Sequence, residues 1–133
     1  MNDFSVLLND FFTKYLSRDR GLSENTAKNY RDTFIQFLQF METNKKVRPK
    51  YIRFEMLDYN TVMDFLNWLE DEKHVSISTR NNRLAGMKSF FQYVCRHEPV
   101  YLGQCSAILE IPAKKCESKP MNYLTISAFE LLL

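Results

Sequence analysis

The sequence contains few of the residues from which metal sites and catalytic centres are built. It has two histidines and three cysteines in 133 residues, and Cys95, Cys105 and Cys116 are spaced ten and eleven residues apart. This spacing matches neither a zinc site nor a disulfide framework, and His74 and His97 do not lie at helical spacing from each other. We therefore expect reduced thiols, no metal, no cofactor, no catalytic residue and no small-molecule substrate.

The sequence also lacks a long apolar run and a secretory signal. No stretch approaches the roughly 20 apolar residues that a membrane-spanning helix needs. The first twelve residues, MNDFSVLLNDFF, have no basic region and no small-residue cleavage site. Only three glycines and four prolines are present, whereas 45% of the residues are hydrophobic. This composition excludes a disordered or fibrous chain and predicts a soluble, cytoplasmic protein with a buried core and no membrane partner.

Apolar residues recur with the period of amphipathic helices through most of the chain. The pattern predicts four helices, over about 3–18, 24–43, 61–72 and 77–96, and a shorter fifth helix over 104–110. Residues able to cap three of these helices precede them: Ser23, Asn60, and Ser76 or Ser78. Between the second and third helices, apolar Ile52, Phe54 and Met56 alternate with charged residues, which allows a short extended segment there. No partner strand is visible, so no sheet is predicted.

The last part of the chain differs in composition from the rest. Residues 113–122 are polar, basic and interrupted by Pro120, which is typical of a linker. An apolar helix then begins after Leu124 and Thr125 and continues to the end of the sequence. We therefore predict a helical domain over 1–112, a linker over 113–122 and the truncated start of a second domain over 123–133.

Charged residues are unevenly distributed, although the formal net charge is only +2. Residues 59–74 carry four acids and one base, whereas residues 75–97 carry four bases and no acid. The fourth helix opens with hydroxyl, amide and guanidinium groups, which donate to phosphates and base edges. Two interpretations stay open from composition alone: nucleic-acid binding, or a solvated face whose acidic and basic helices form ion pairs with each other.

A helical wheel of the fourth helix places Asn81, Ala85, Lys88 and Gln92 in one outward stripe. Small residues in this part of a helix permit a close approach by another backbone. We therefore expect Ala85 and Gly86 to bring the stripe close to a binding partner.

Four segments carry a family pattern in the right order and spacing. They are LSENTAKNY over 22–30, Thr61 to Leu69, STRNNRLAGMKSFFQYV over 78–94, and Tyr123-Leu124-Thr125 followed by Glu130-Leu131-Leu132. Together they resemble the core-binding domain of tyrosine recombinases, the phage-integrase family, over nearly the whole chain. The family often has Asn-Pro where this chain has Gln104-Cys105-Ser106, which is a departure from the pattern.

The resemblance implies an all-α, SAM-like four-helix bundle of two crossed helical hairpins. A linker and a truncated helix of the catalytic domain would follow this bundle. The family's catalytic Arg, Lys, His-x-x-Arg and nucleophilic Tyr belong to that later domain, so we expect this chain alone to be inactive as an enzyme.

The resemblance further implies a DNA-binding fragment of a site-specific recombinase or integrase. Such a fragment grips one side of double-stranded DNA during DNA integration and recombination. Other recombinase protomers in a synaptic complex are a second implied partner. The second helix, the fourth helix and the linker would supply the DNA contacts: Thr26, Lys28, Asn29, Arg31, Ser78, Thr79, Arg80, Asn81, Arg83, Lys88, Lys114, Lys115 and Lys119.

Two alternatives belong to other functional classes. One is a helical protein–protein interaction module whose basic face binds an acidic partner. The other is a stand-alone helix-turn-helix regulator, but the acidic loop before the fourth helix lacks the short glycine turn usual there.

Overall fold

The computed structural model describes residues 3–19 and 23–115, and all regular elements in this part of the chain are helical. The prediction of an all-α fold is confirmed. The longer elements are α1 (Asp3–Asp10), which continues as a π-helical segment (Phe11–Asp19), α2 (Glu24–Asn44), α3 (Tyr59–Asp71), α4 (Ile77–His97) and α5 (Leu102–Leu109). Short 3₁₀ turns lie at Pro49–Tyr51, Phe54–Met56 and Pro99–Tyr101.

The helix predicted over 123–133 and the part of the linker that holds Lys119 lie outside the described residues. The proposed domain boundaries therefore stay predictions.

Serine residues cap both of the 21-residue helices in the same way. The Ser23 hydroxyl accepts a hydrogen bond from the backbone N–H of Thr26 at 3.2 Å, and the Ser76 hydroxyl accepts one from Thr79 at 3.0 Å. These bonds satisfy N–H groups that have no partner within the helix. Ser23 is thereby confirmed as a cap, and Ser76 rather than Ser78 is the cap of α4.

The cap of α3 is Asp58, so the prediction of Asn60 is wrong. The Asp58 carboxylate accepts from the backbone N–H of Thr61 at 2.9 Å, and the helix begins at Tyr59. A carboxylate at this position also interacts favourably with the positive end of the helix dipole. Asn60 is therefore already inside the first turn.

The segment between α2 and α3 is not extended, which corrects the expectation drawn from its alternating pattern. Two 3₁₀ turns fold it back on the domain, and Ile52, Phe54 and Leu57 are completely buried. Gln104 of α5 donates from its Nε2 atom to the backbone oxygens of Phe54 at 2.7 Å and Leu57 at 2.9 Å. This side chain therefore fixes the second turn to α5.

Aromatic rings from several elements meet in one core. The Phe90 ring of α4 lies 5.5 Å from that of Phe11, 5.2 Å from that of Phe34 and 6.1 Å from that of Phe54. The residues predicted to face inward on α3 and α4 are all buried: Val62, Phe65, Leu66, Leu69, Leu84, Met87, Phe90, Phe91 and Val94. The periodicity therefore identified the inner faces of these helices correctly.

Gly86 marks a close approach between α4 and α2. A Cβ atom at this position would lie 2.7 Å from Thr33 Oγ1 and 3.1 Å from Thr33 Cβ. Thr33 is completely buried, and its hydroxyl donates to the backbone oxygen of Asn29 at 2.8 Å. Gly86 therefore serves helix packing inside the domain, which corrects its expected role in approaching a partner. Ala85, by contrast, is exposed.

We expect Gly86→Ala to lower the free energy of unfolding by about 1–2 kcal/mol, because the cost of overpacking exceeds the gain in helix propensity. Adding Thr33→Ala removes the clashing hydroxyl and methyl groups, so the double variant should be more stable than Gly86→Ala alone. Urea unfolding followed by circular dichroism measures both effects. A Gly86→Ala variant at least as stable as the parent would contradict the close contact.

Candidate nucleic-acid interface

The N-terminal halves of α2 and α4 lie side by side. Thr33 is next to Gly86, and four residues earlier on each helix the Asn29 side chain donates to the backbone oxygen of Asn82 at 3.0 Å. Because both pairs step along the helices in the same direction, the N-terminal ends of α2 and α4 lie at the same end of the domain. The N-terminal halves of α2 and α4, which hold the predicted contact residues of these helices, are therefore adjacent.

Arg83 forms a bridge between these helices. Its Nε atom donates to Gln36 Oε1 at 2.7 Å, and its Nη1 atom donates to Asn29 Oδ1. Two of the five N–H donors of the guanidinium are thus used within the domain. Arg83 and Asn29 therefore hold α2 against α4. Gln36 is the third member of this bridge, and no sequence pattern indicated it.

Lys28 and Asp32 form an ion pair on α2 beside the bridge, with 2.9 Å between Lys28 Nζ and Asp32 Oδ2. The hydrogen bond from Lys28 lowers the pKa of Asp32 below its ordinary value of 3.8, and the charges of Lys28, Arg83 and Arg31 act in the same direction. The Lys28 side chain is 65% exposed. Exposed pairs contribute at most about 1 kcal/mol, so this ammonium can exchange its carboxylate for another anion at little cost.

Arg80 lies inside the domain, which corrects the expectation that it contacts DNA. The residue is 2% exposed, and its Nε atom lies 3.4 Å from Glu70 Oε2 at the end of α3. That N–H makes no hydrogen bond, whereas Nη1 donates to Asn81 Oδ1 at 3.2 Å. Here the acidic and basic helices do pair with each other. Their opposite charges were the sequence signal for this pair, although Glu70 itself was not predicted as a partner.

Residues 111–115, called the post-α5 segment below, lie against the first turns of α4. Asn81 Nδ2 donates to the backbone oxygen of Lys114 at 2.8 Å, and the Lys114 N–H donates to Asn81 Oδ1 at 2.9 Å. The Lys114 ammonium donates to both carboxylate oxygens of Glu70, at 3.0 and 2.9 Å. The two predicted contact residues Asn81 and Lys114 are therefore adjacent, but they bind each other and α3.

The other predicted contact residues differ in whether their side chains are free to bind a partner. Ser78 and Lys115 are exposed, Lys88 is half-buried, and none of the three side chains has a hydrogen bond or ion pair with the described residues. Arg31 is exposed but lies about 200° around α2 from Asn29, on the side away from α4. The hydroxyls of Thr26 and Thr79 accept from the capping serines.

Residues 3–19 and 23–115 contain no group of His, Cys, Asp and Glu side chains arranged to hold a metal ion. No helix in the same ranges is long and apolar enough to cross a membrane. Cys95 and Cys105 are free thiols, and burial raises the pKa of Cys105 to about 11, so this thiol stays protonated at neutral pH. Cys116 lies outside the described residues.

The fold and this surface define a helical domain with one face rich in cations and hydrogen-bond donors. Residues 7–99 match the family described as phage integrase, N-terminal SAM-like domain, and the chain belongs to this family. The resemblance noted in the sequence is thereby confirmed.

Similar proteins are named as recombinases. The candidate integrase/recombinase y4rC of Sinorhizobium fredii is 35% identical over 127 residues, which cover 96% of this chain and 38% of the relative. Tyrosine recombinase XerD of Oceanobacillus iheyensis is 29% identical over 107 residues, 80% of this chain and 34% of the relative. Tyrosine recombinase XerC of Syntrophus aciditrophicus is 28% identical over 125 residues, 92% of this chain and 39% of the relative.

The chain spans about two fifths of the length of the curated relatives that it matches. No solved structure matches it significantly.

Proposed function

We propose that this domain binds duplex DNA as part of a site-specific tyrosine recombinase or integrase. The observation that carries the proposal is the placement of three lysines. Lys88 lies in the middle of α4, and Lys28 and Lys115 are sequence neighbours of residues that are hydrogen-bonded to the first turns of α4. Membership of the phage integrase family and the recombinase names of similar proteins support it. Other protomers of the same recombinase, assembled on the DNA, are proposed as its protein partners.

The N-terminal half of α4 is the centre of the proposed surface. Its exposed ridge consists of Ser78, Asn82 and Ala85, which combine a hydroxyl, an amide and a small side chain. Hydroxyls and amides donate to phosphates or read base edges, and a small residue beside them leaves room for a close approach. The ridge therefore suits contact with a groove or with the strand that borders it.

The lysines on either side of the ridge suit phosphate contacts. Lys28 lies on α2, on one side of the ridge. Lys115 lies on the other side, because it directly follows Lys114, which binds Asn81 there. Lysine ammonium groups act as point charges, so they neutralise phosphates without reading sequence. The Arg83 bridge fixes the position of α2, and with it the α2 flank, against α4 before DNA binds, which lowers the entropy lost on binding.

We expect the affinity for a generic labelled duplex, measured by fluorescence anisotropy, to fall steeply with salt. The slope of log K against log salt is about −0.9 for each phosphate neutralised on duplex DNA. Replacing Lys28, Lys88 and Lys115 with alanine should make this slope less steep by about 0.9 per lysine. Arg83 is not used in this test, because its removal would also separate α2 from α4.

The matched control replaces three exposed arginines, Arg48, Arg53 and Arg96, with alanine. It removes the same net charge, but Arg48 and Arg53 lie in the segment between α2 and α3, and Arg96 lies at the C-terminal end of α4. We expect its slope of log K against log salt to differ from that of the parent by less than about 0.9, the value for one phosphate. Equal losses in the two triple variants, or no salt-dependent binding by the parent, would contradict the proposed surface and favour the protein-interaction module.

A further inference from the structure

We infer that Asn81 is a positioning residue that fixes the path of the chain after α5 and thereby presents Lys115 beside the α4 ridge. The consequence for DNA binding rests on the proposed function. The hydrogen bonds that join Asn81 to Lys114, called the anchor below, can be tested without DNA.

The post-α5 segment is held at both ends. Ile111 is 2% exposed, and its N–H donates to the backbone oxygen of Ile108 at 3.1 Å, which ties it to α5. Lys114 is held at its N–H and its carbonyl by Asn81 and at its ammonium by Glu70. Only two residues, Pro112 and Ala113, separate the two attachment points, and the proline restricts the backbone further. The position of the Lys115 backbone is therefore set by α4.

An asparagine side chain is chemically matched to this task. Its amide offers a donor and an acceptor in one plane, and it uses the donor on the Lys114 carbonyl and the acceptor on the Lys114 N–H. An aspartate would lack the donor, and a serine hydroxyl offers a single proton. Asn82, one residue later, is exposed, and its side chain makes no hydrogen bond with the described residues.

The two asparagines give a matched pair of variants for hydrogen exchange on the full chain. Asn81→Ala should speed exchange of the Lys114 amide about fivefold or more, because that N–H loses its acceptor. Asn82→Ala should leave the Lys114 amide unchanged. Amides in the middle of α4 are measured in the same experiment and should stay protected in both variants, which shows that the domain is folded. Unchanged exchange at Lys114 in a folded Asn81→Ala variant would overturn the inference.

A second measurement connects the anchor to DNA. In the parent chain, Lys115→Ala should make the slope of log K against log salt less steep by about 0.9, whereas in the Asn81→Ala chain it should have much less effect. An equal effect of Lys115→Ala in both chains would overturn the positioning role and leave the proposed DNA surface standing. If the parent does not bind DNA at all, the proposed function fails. Hydrogen exchange then tests by itself whether Asn81 anchors the post-α5 segment.

Discussion

Replacing Glu70 with glutamine is expected to lower the free energy of unfolding by about 3 kcal/mol, because it leaves the buried Arg80 guanidinium without a compensating charge. The Arg80 side chain is 3% exposed, and the Glu70 carboxylate lies 3.4 Å from its Nε atom. No other carboxylate forms an ion pair with Arg80 among the described residues. Urea unfolding measures the loss as a lower midpoint with an unchanged m-value.

Two further variants test whether buried charge is the cause of this loss. Glu72→Gln removes an exposed carboxylate two residues later, and we expect it to change stability by less than about 0.5 kcal/mol. Adding Arg80→Met to Glu70→Gln removes both charges, so the double variant should recover most of the lost stability. If Glu70→Gln lowers the free energy of unfolding no more than Glu72→Gln does, the Glu70 carboxylate does not stabilise the buried Arg80 guanidinium.

Replacing Phe90 with alanine is expected to lower the free energy of unfolding by about 3–5 kcal/mol, which is a large share of the 5–15 kcal/mol typical of a whole domain. Phe90 is completely buried, and its ring contacts rings on the π-helical segment, on α2 and in the turn after α2. The substitution opens a cavity where these elements meet. We expect the unfolding midpoint in urea to fall accordingly.

Two control substitutions show whether the loss of stability comes from the cavity at Phe90. One keeps most of the side-chain volume at the same site, and the other is made at an exposed site. Phe90→Leu keeps most of the buried volume and should cost about 1–2 kcal/mol. Ile35→Ala, at a site 54% exposed on α2, should cost less than about 0.5 kcal/mol. A loss of 1 kcal/mol or less for Phe90→Ala would contradict a single core centred on this ring.

The two large predictions concern different parts of one architecture. The Phe90 cluster joins the helices through their apolar faces, whereas the Glu70–Arg80 pair joins the end of α3 to the start of α4. Glu70 also binds Lys114, so its removal disturbs the post-α5 segment together with the helices. For this reason Asn81, rather than Glu70, is the residue whose substitution tests the path of that segment.

Local features of the chain could be predicted well, because their causes lie within a few residues. Helical periodicity identified the buried faces of α3 and α4, and Ser23 was identified as a cap because its hydroxyl needs only the N–H three residues later. The errors at Asn60 and over residues 52–56 have different causes. Asp58 and Asn60 are both suitable capping residues two positions apart, and the helix begins after Asp58. Over residues 52–56, the packing of Phe54 and the hydrogen bonds from Gln104 decided the conformation.

The candidate interface was predictable only in part. The cations and amides at the start of α4 were identified from the sequence, but their individual roles were not. Arg80 and Arg83 are three residues apart and both lie near the edge of the apolar stripe. One is enclosed against α3, whereas the other bridges to α2. Periodicity gives the angle of a side chain around its helix, but it does not say which neighbouring helix occupies that direction.

The sequence by itself determined the helices, their apolar faces and the Ser23 cap, since these follow from spacing along the chain. Its resemblance to the phage integrase family was also visible without the structure. Only the tertiary structure decided that Gly86 packs on Thr33, that Arg80 is buried against Glu70, and that Asn81 binds Lys114. The physical reason is distance along the chain: Asn81 and Lys114 are 33 residues apart, and Thr33 and Gly86 are further apart still. Contacts of this kind exist only after the helices have packed, so no local pattern encodes them.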